Sequence, residues 1–235
     1  MAQLQNQTAV ITGAGTGIGY TIAKRFHDEG AFVVLCGRRE DVLREAAENI
    51  SPEGSRVLPI PADINDESAI QNLVEKTIEK TGRIDILVNN AAAMRVNKPP
   101  EETSLEEWRQ VIDTNVTGTF LCCREVGKVM IKQNGGRIIN ITSMSASIVN
   151  KYFHGGSYEV SKAAQDMLTK GIESHPDFVP LLSLQADLYR MSGMSEEMVK
   201  VLKHILEVYP GHPKWNDYQE FITRFGKKGP PEVEM

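Results

Sequence analysis

With only three cysteines in 235 residues, the chain has little scope for sulfur chemistry. Cys36, Cys122 and Cys123 lack the spacing of a metal site, and so few thiols fit a reducing compartment better than a disulfide-stapled fold. Cys122 and Cys123 fall in a helical stretch, where they are expected simply to pack. No apolar run is long enough to span a bilayer, and no leader-like segment opens the chain. The expectation is therefore a soluble, cytoplasmic protein, in which the Asn-x-Ser/Thr triplets at Asn6, Asn115 and Asn140 are chance. Positive charge is also short. There are 26 Lys and Arg against 31 Asp and Glu, a formal net charge of -5 that gives no reason to expect nucleic acid or an anionic membrane as partner. The rest is ordinary for a globular protein: 41% hydrophobic and 24% charged residues. The length suits one α/β domain with a full core, or a smaller one with an appendage.

The chain is organised around Thr8–Gly19. The β-branched run Val10-Ile11-Thr12 reads as a buried strand. Gly13, Thr16, Gly17, Ile18 and Gly19 follow, and then a helix with Ile18, Ile22, Ala23 and Phe26 on one side. Strand, glycine turn and helix in that order make an anion cradle. The turn lets the backbone approach a pyrophosphate, and free N–H groups at the helix start point at its charge.

Further strands are predicted over Ala31–Cys36, Arg56–Ile60, Ile84–Val88 and Arg137–Thr142, with helices over about Arg39–Asn49 and Asp66–Thr81. Thr103 and Ser104, each followed three residues later by glutamate, offer a capping box for a long helix from Leu105 to about Lys132. This alternation specifies an α/β fold, a Rossmann-like doubly wound parallel sheet. Its ligand belongs at the carboxyl ends of the strands, where Gly13, Arg38, Asp63, Asn89 and Ser143 fall.

Tyr158 and Lys162 stand four residues apart, hence on one face of a helix. An ammonium beside a phenol favours the phenolate, and a tyrosine so placed is a workable general acid/base near neutral pH. A serine at the end of the fifth strand could hydrogen-bond a substrate carbonyl oxygen and stabilise developing charge there. A nicotinamide in the same crevice would supply the hydride, which no side chain can.

With these residues, Thr8 to about Lys170 resembles a short-chain dehydrogenase/reductase. The family's Thr-Gly-x-x-x-Gly-x-Gly stands at Thr12–Gly19 and its adenine-contacting aspartate matches Asp63. Its Asn-Asn-Ala-Gly segment is Asn89-Asn90-Ala91-Ala92, with alanine for the glycine, and its Tyr-x-x-x-Lys is Tyr158 and Lys162. The resemblance implies an NAD(P)-dependent oxidoreductase interconverting a ketone or aldehyde and an alcohol. It implies cofactor contacts from Gly13, Thr16, Gly17, Ile18, Gly19, Arg38, Asp63, Asn89, Ala91, Tyr158 and Lys162. Lys162 would hold the nicotinamide ribose and Asn115 would position a water in a proton relay. Ser143 aligns with the family's serine along the strand and is favoured, whereas Ser145 better matches the usual serine-to-tyrosine spacing. A short insertion in Ser147–Gly156 would reconcile them. At the end of the second strand an acidic residue would select NAD, but Gly37, Arg38 and Arg39 stand there. A guanidinium suits a 2′-phosphate, so NADP is favoured and NAD remains open. Family members usually pair through the long helix and the helix bearing Tyr158, implying a homo-oligomer.

Beyond Lys170 the resemblance stops: no sixth or seventh strand and no substrate lid are recognisable. Leu181, Leu184 and Leu188 form one helical stripe, Met198, Leu202, Ile205 and Tyr209 another, and Trp215, Tyr218, Ile222 and Phe225 a third. Val179–His212 resembles a single tetratricopeptide repeat. The expected division is 1–173 catalytic, 174–226 helical and 227–235 disordered. A single repeat does not bury its own faces, so the helical part is expected to dock on the first, pair with another chain, or stay loosely folded. An oxidoreductase whose tail replaces the lid is one reading. The other is a truncated or fused, catalytically impaired nucleotide-binding protein whose tail is a protein-interaction module. Met94, Ser145 and His154 are the remaining candidates for a pocket that takes a small carbonyl or alcohol substrate.

Overall fold

Two runs of aliphatic residues set the centre of the fold. β1 (Thr8–Thr12) is buried at every position and β2 (Phe32–Gly37) along its interior, as strands covered on both faces require. The computed structural model describes residues 2–93, 98–147, 156–173 and 181–183. In it β1 and β2 pair in parallel, Val10 beside Val34 and Thr12 beside Cys36. After β1 come α1 (Gly17–Asp28), β2, α2 (Glu40–Ile50), β3 (Val57–Pro61), α3 (Glu67–Thr81), β4 (Ile86–Asn89) and α4 (Leu105–Ile112). α5 (Thr119–Lys132), β5 (Arg137–Asn140), α6 (Ser157–Glu173) and β6 (Leu181–Ser183) complete the order.

The sheet runs β3-β2-β1-β4-β5-β6, and the pairings of β1 with β2 and β4, of β2 with β3 and of β4 with β5 are all parallel. Strand side chains alternate between two layers. Val10, Val34, Leu87 and Ile138 pack with Ile70 and Leu73 of α3 and with Leu121, Val126 and Met130 of α5. Ile11, Leu35 and Val88 pack on the other side with Ala23 of α1 and with Leu43, Ala46 and Ile50 of α2. This is the doubly wound sheet expected from the alternating pattern. The chain leaves β1 toward β2 and β3, then crosses back to lay β4 on β1's other side. The crevice of such a sheet opens at that reversal, here between the turn after β1 and the loop after β4.

Two details differ from the expectation, and a third resolves a choice it left open. The long helix is interrupted by a π-helical turn at Asp113–Gly118, so α4 and α5 are separate elements. Asn115 lies in that turn, and its side chain is drawn to neighbouring elements as described below. Between the two offered caps the fold selects Ser104: its Oγ accepts from Glu107 N at 3.1 Å, and Glu107 Oε2 accepts from Ser104 N at 2.9 Å. Finally, a three-residue sixth strand, Leu181–Ser183, stands next to β5 in the sheet order. The sequence pattern places Leu181 on a helical stripe and offers no recognisable sixth strand. Two adjacent leucines satisfy either element, and spacing alone does not choose between them.

The chain divides into two compact units, Met1–Leu182 and Ser183–Met235. The rest of the tetratricopeptide-like span, the expected tail and the candidate pocket residues Met94 and His154 lie outside the described residues. Among the described residues no helix is long and apolar enough to cross a membrane.

Candidate active site

The glycine turn is shaped by its neighbour. Gly13 and Gly17 hold positive φ, +65° and +58°, where a side chain is strained. A Cβ on Gly13 would lie 2.9 Å from Asn90 Nδ2, and one on Gly19 would run into the Gly13 carbonyl and the same amide. The loop after β4 thus presses against the turn from below. Thr12 locks the two together. Its hydroxyl donates to Val88 O at 3.3 Å and accepts from Asn90 N and Ala91 N, each at 3.0 Å. Asn90 Nδ2 returns to Thr12 O at 2.9 Å.

Above that packed floor the turn is open. A Cβ on Gly17 would meet nothing within 4 Å. Thr16 caps α1 with extended backbone but no side-chain hydrogen bond, and no acidic residue stands in the first helical turn. Ile18 is 60% exposed. The first N–H groups of α1 therefore have neither a capping oxygen nor a neighbouring carboxylate, which is the arrangement that takes a pyrophosphate. The residues present fit a dinucleotide.

At the end of β2, Arg38 and Arg39 are exposed, and neither guanidinium is tied to a carboxylate among the described residues. Asp63 is half-buried and accepts from Asn65 N at 3.0 Å. Asn89 lies under the crevice: its Nδ2 donates to Asn140 Oδ1 at 2.9 Å and to Cys123 Sγ at 3.2 Å, and its carbonyl accepts from Ile141 N at 2.9 Å. Burial pushes the Cys123 thiol up to about 12, so it is an inert packing group, as is Cys36 at about 12.

α6 carries the pair found in the sequence. Lys162 Nζ stands 5.6 Å from the centroid of the Tyr158 ring. It donates to Ile141 O at 2.9 Å and to Gln165 Oε1 at 2.8 Å. Burial lowers this ammonium to about 8, against the opposing pull of Asp166. Asn115 is fully buried and its side chain is spent as a clamp. Its Oδ1 accepts from Ala93 N at 2.7 Å and its Nδ2 donates to Ser161 Oγ at 3.0 Å. Ser161 in turn donates to Tyr158 O at 2.7 Å, so the first turn of α6 is tied to the loop after β4. Ser143 caps the short 3₁₀ turn Met144–Ala146, accepting from Ser145 N at 3.2 Å. That turn packs against α6, which brings both candidate serines to the helix bearing Tyr158.

Sequence patterns alone assign no role to Thr12, Asn90, Ser161 or Gln165. The available signal is polarity on an inward face: Gln165 stands three residues after Lys162 and four after Ser161, spacings that place it beside both on α6.

A glycine cradle at the reversal point of a doubly wound parallel sheet, with a Tyr/Lys pair on the helix after β5, defines the class: a dinucleotide-binding α/β oxidoreductase. The chain belongs to the short chain dehydrogenase family, whose model matches residues 7–175. It is 43% identical over 227 residues to an uncharacterized oxidoreductase of Thermotoga maritima, covering 97% of this chain and 78% of that one. It is 40% identical over 174 residues to another from Staphylococcus saprophyticus, covering 74% and 73%. Among solved structures, a short-chain type dehydrogenase/reductase from Mycobacterium marinum superposes with a TM-score of 0.70 at 36% identity, over 74% of this chain and 71% of that one. A short chain dehydrogenase from Bacillus anthracis does so with a TM-score of 0.70 at 34% identity, over 73% and 68%. The protein is thus, in general class, an NAD(P)-dependent oxidoreductase.

Proposed function

We propose that the protein interconverts a small ketone or aldehyde and the corresponding alcohol, with NADP favoured over NAD. The observation that carries this reading is the buried Lys162 ammonium beside the Tyr158 ring, on the helix that packs against the serine-bearing turn. In reduction, Tyr158 gives its phenolic proton to the substrate oxygen, and in oxidation it takes that proton back. Lys162 sets its ammonium beside the ring that carries that proton. Ser143 donates to the substrate oxygen, with Ser145 as the alternative donor two residues along the same turn. Asn115 fixes the turn of α6 that carries Tyr158, and since its side chain is taken, a relay water would be held by its backbone. When bound, the nicotinamide supplies or accepts the hydride.

Gly13, Thr16, Gly17, Ile18 and Gly19 would hold the pyrophosphate, Asp63 the adenine, and Tyr158 and Lys162 the nicotinamide ribose, with Asn89 and Ala91 forming the floor. Arg38 would meet the 2′-phosphate. Exposed Leu105, Trp108, Phe120 and Ile131 on α4 and α5, with Val160 and Met167 on α6, support pairing of two copies through these helices. The match to the Thermotoga protein leaves out only eight residues of the chain and so runs on past Ser183. The dinucleotide domain and the segment after it thus occur together in another protein, which favours a working oxidoreductase over an accidental join. The segment after Ser183 remains a candidate surface for a protein partner.

The test is NADPH and NADH binding by the purified protein, followed by fluorescence or calorimetry. We expect micromolar binding of NADPH, weakened about tenfold in Arg38→Ala, the effect of roughly 1.4 kcal/mol from one lost charge-assisted contact. NADH binding should be unchanged by that substitution. A folded protein that binds neither cofactor overturns the proposal.

A further inference from the structure

α6 carries a buried glutamine where an amphipathic helix would ordinarily bury an apolar side chain. Gln165 is 1% exposed and Thr119, its partner at the start of α5, is equally buried. A buried amide is costly unless its oxygen and nitrogen both find partners. Gln165 Nε2 donates to Thr119 Oγ1 at 2.9 Å, and Gln165 Oε1 accepts from Lys162 Nζ at 2.8 Å. A leucine would fill the place without needing either bond. The amide therefore calls for an explanation in terms of what it holds, and what it holds is Lys162.

We propose that Gln165, anchored by Thr119, is a positioning residue that fixes the Lys162 ammonium for its work beside Tyr158. Lysine has three N–H donors. Gln165 and the Ile141 carbonyl take two of them, leaving one for a bound ligand. Both acceptors are neutral, so they stabilise the charged form through hydrogen bonds alone, in the same direction as the charge of the nearby Asp166 carboxylate. Among the described residues, the titratable groups facing Lys162 are Tyr158 and Asp166 on its own helix. From the end of β5 it meets the Ile141 carbonyl, and through Gln165 the hydroxyl of Thr119 on α5. Since burial holds the lysine near 8 already, a lost acceptor would lower its charged fraction near neutral pH. The inference rests on the reading of Lys162 as partner of Tyr158 and of the cofactor.

The test follows the Lys162 side-chain carbon resonance against pH by NMR in lysine-labelled protein, in the full chain and three variants. Gln165→Met removes the acceptor and should move the Lys162 titration down by about one pH unit. Gln165→Glu keeps the length, adds a charge and should move it up. Thr119→Val leaves Gln165 in place without its anchor and should give a smaller downward shift. Opposite shifts from Met and Glu are not what a merely space-filling glutamine would produce. Because Gln165→Glu is isosteric, it also reads the bond should Gln165→Met fail to fold. An unchanged Lys162 titration in folded Gln165→Glu overturns the proposal. Loss of NADPH binding is a separate outcome. If the parent binds no cofactor while the shifts appear, the functional reading fails and the positioning stands.

Discussion

The half of the sheet around β1 and β2 and the half around β5 and α6 are built from different materials. In the first, Val10, Ile11, Val33, Val34 and Leu35 are completely buried aliphatics, and the ligand-facing part is a glycine turn that presents backbone. In the second, the interior holds Asn89, Asn115, Asn140, Ser161, Lys162, Gln165 and Thr169, all buried and linked. Asn140 Nδ2 donates to Thr169 Oγ1 at 3.0 Å, and Thr169 Oγ1 donates to Gln165 O at 2.8 Å. The difference follows from what each half handles. A pyrophosphate can be held by N–H groups at a helix start, which any sequence supplies if glycines let it come close. Proton transfer needs a charged lysine in a dry place, and a buried charge requires hydrogen-bonding neighbours that themselves require partners. One half can therefore stay apolar apart from the Thr12 bonds under its glycine turn, whereas the other becomes a network.

Substitutions should separate the halves. Tyr158→Phe removes only the proton donor, so turnover should fall about a thousandfold while the thermal midpoint and NADPH affinity stay near the parent's. A stable variant with substantial carbonyl reduction would show that the network serves the fold and not the chemistry. Gly19→Ala attacks the other half, where the new Cβ would lie 2.5 Å from Asn90 Nδ2 and closer still to the Gly13 carbonyl. It should cost about 3 kcal/mol of stability, in the range of overpacking, and lose NADPH binding outright. Denaturant unfolding and a binding titration check both at once. Thr12→Val has nearly the same shape but leaves the Asn90 and Ala91 N–H groups without their shared acceptor. About 2 kcal/mol is expected from such a deletion, with cofactor affinity reduced because the floor under the glycine turn loosens. If Thr12→Val is silent, the contrast between a side-chain-free half and a networked half is even sharper than drawn.

The contrast also explains what is legible in the sequence. Val10-Ile11-Thr12, the glycines and the Tyr158–Lys162 spacing are local patterns, and local patterns report strands, turns and helix faces directly. The doubly wound sheet follows from their alternation. The π-helical turn at Asp113–Gly118 is not legible, because it depends on Asn115 reaching Ala93 and Ser161, residues 22 and 46 positions away. The roles of Thr12 and Gln165 are hidden for the same reason: each is defined by a partner across the fold, Asn90 in one case and Thr119 in the other. The short strand Leu181–Ser183 reads as part of a helix because three residues carry no period, and only a neighbouring β5 edge decides their form.

The smallest effect concerns how the lysine is held. Its native value is about 8 against an ordinary 10.5. Below about 8 the ammonium is charged in both folded and unfolded chains, and the penalty of burying it is fully present. As pH rises through 8 the folded chain releases this proton while the unfolded chain retains it, so the unfolded state binds more protons and stability increases. Between pH 8 and 9 the gain should be about 1 kcal/mol, within a full span of about 3 kcal/mol up to the unfolded value. The buried thiols act with the opposite sign. Cys36 and Cys123 are held up near 12 from an ordinary 9. From about 8 upward the unfolded chain loses their protons first and the folded state loses ground. With Cys122 also raised, the three thiols together cost about 1 kcal/mol between pH 8 and 9 and offset the lysine. Unfolding free energy should therefore stay about level in the parent over that interval and fall by about 1 kcal/mol in Lys162→Met, with both declining at higher pH. Parent and Lys162→Met curves that fall together from 8 to 9 would mean that the ammonium is solvated better than its burial indicates, and that the polar half of the sheet carries less electrostatic strain than its composition implies.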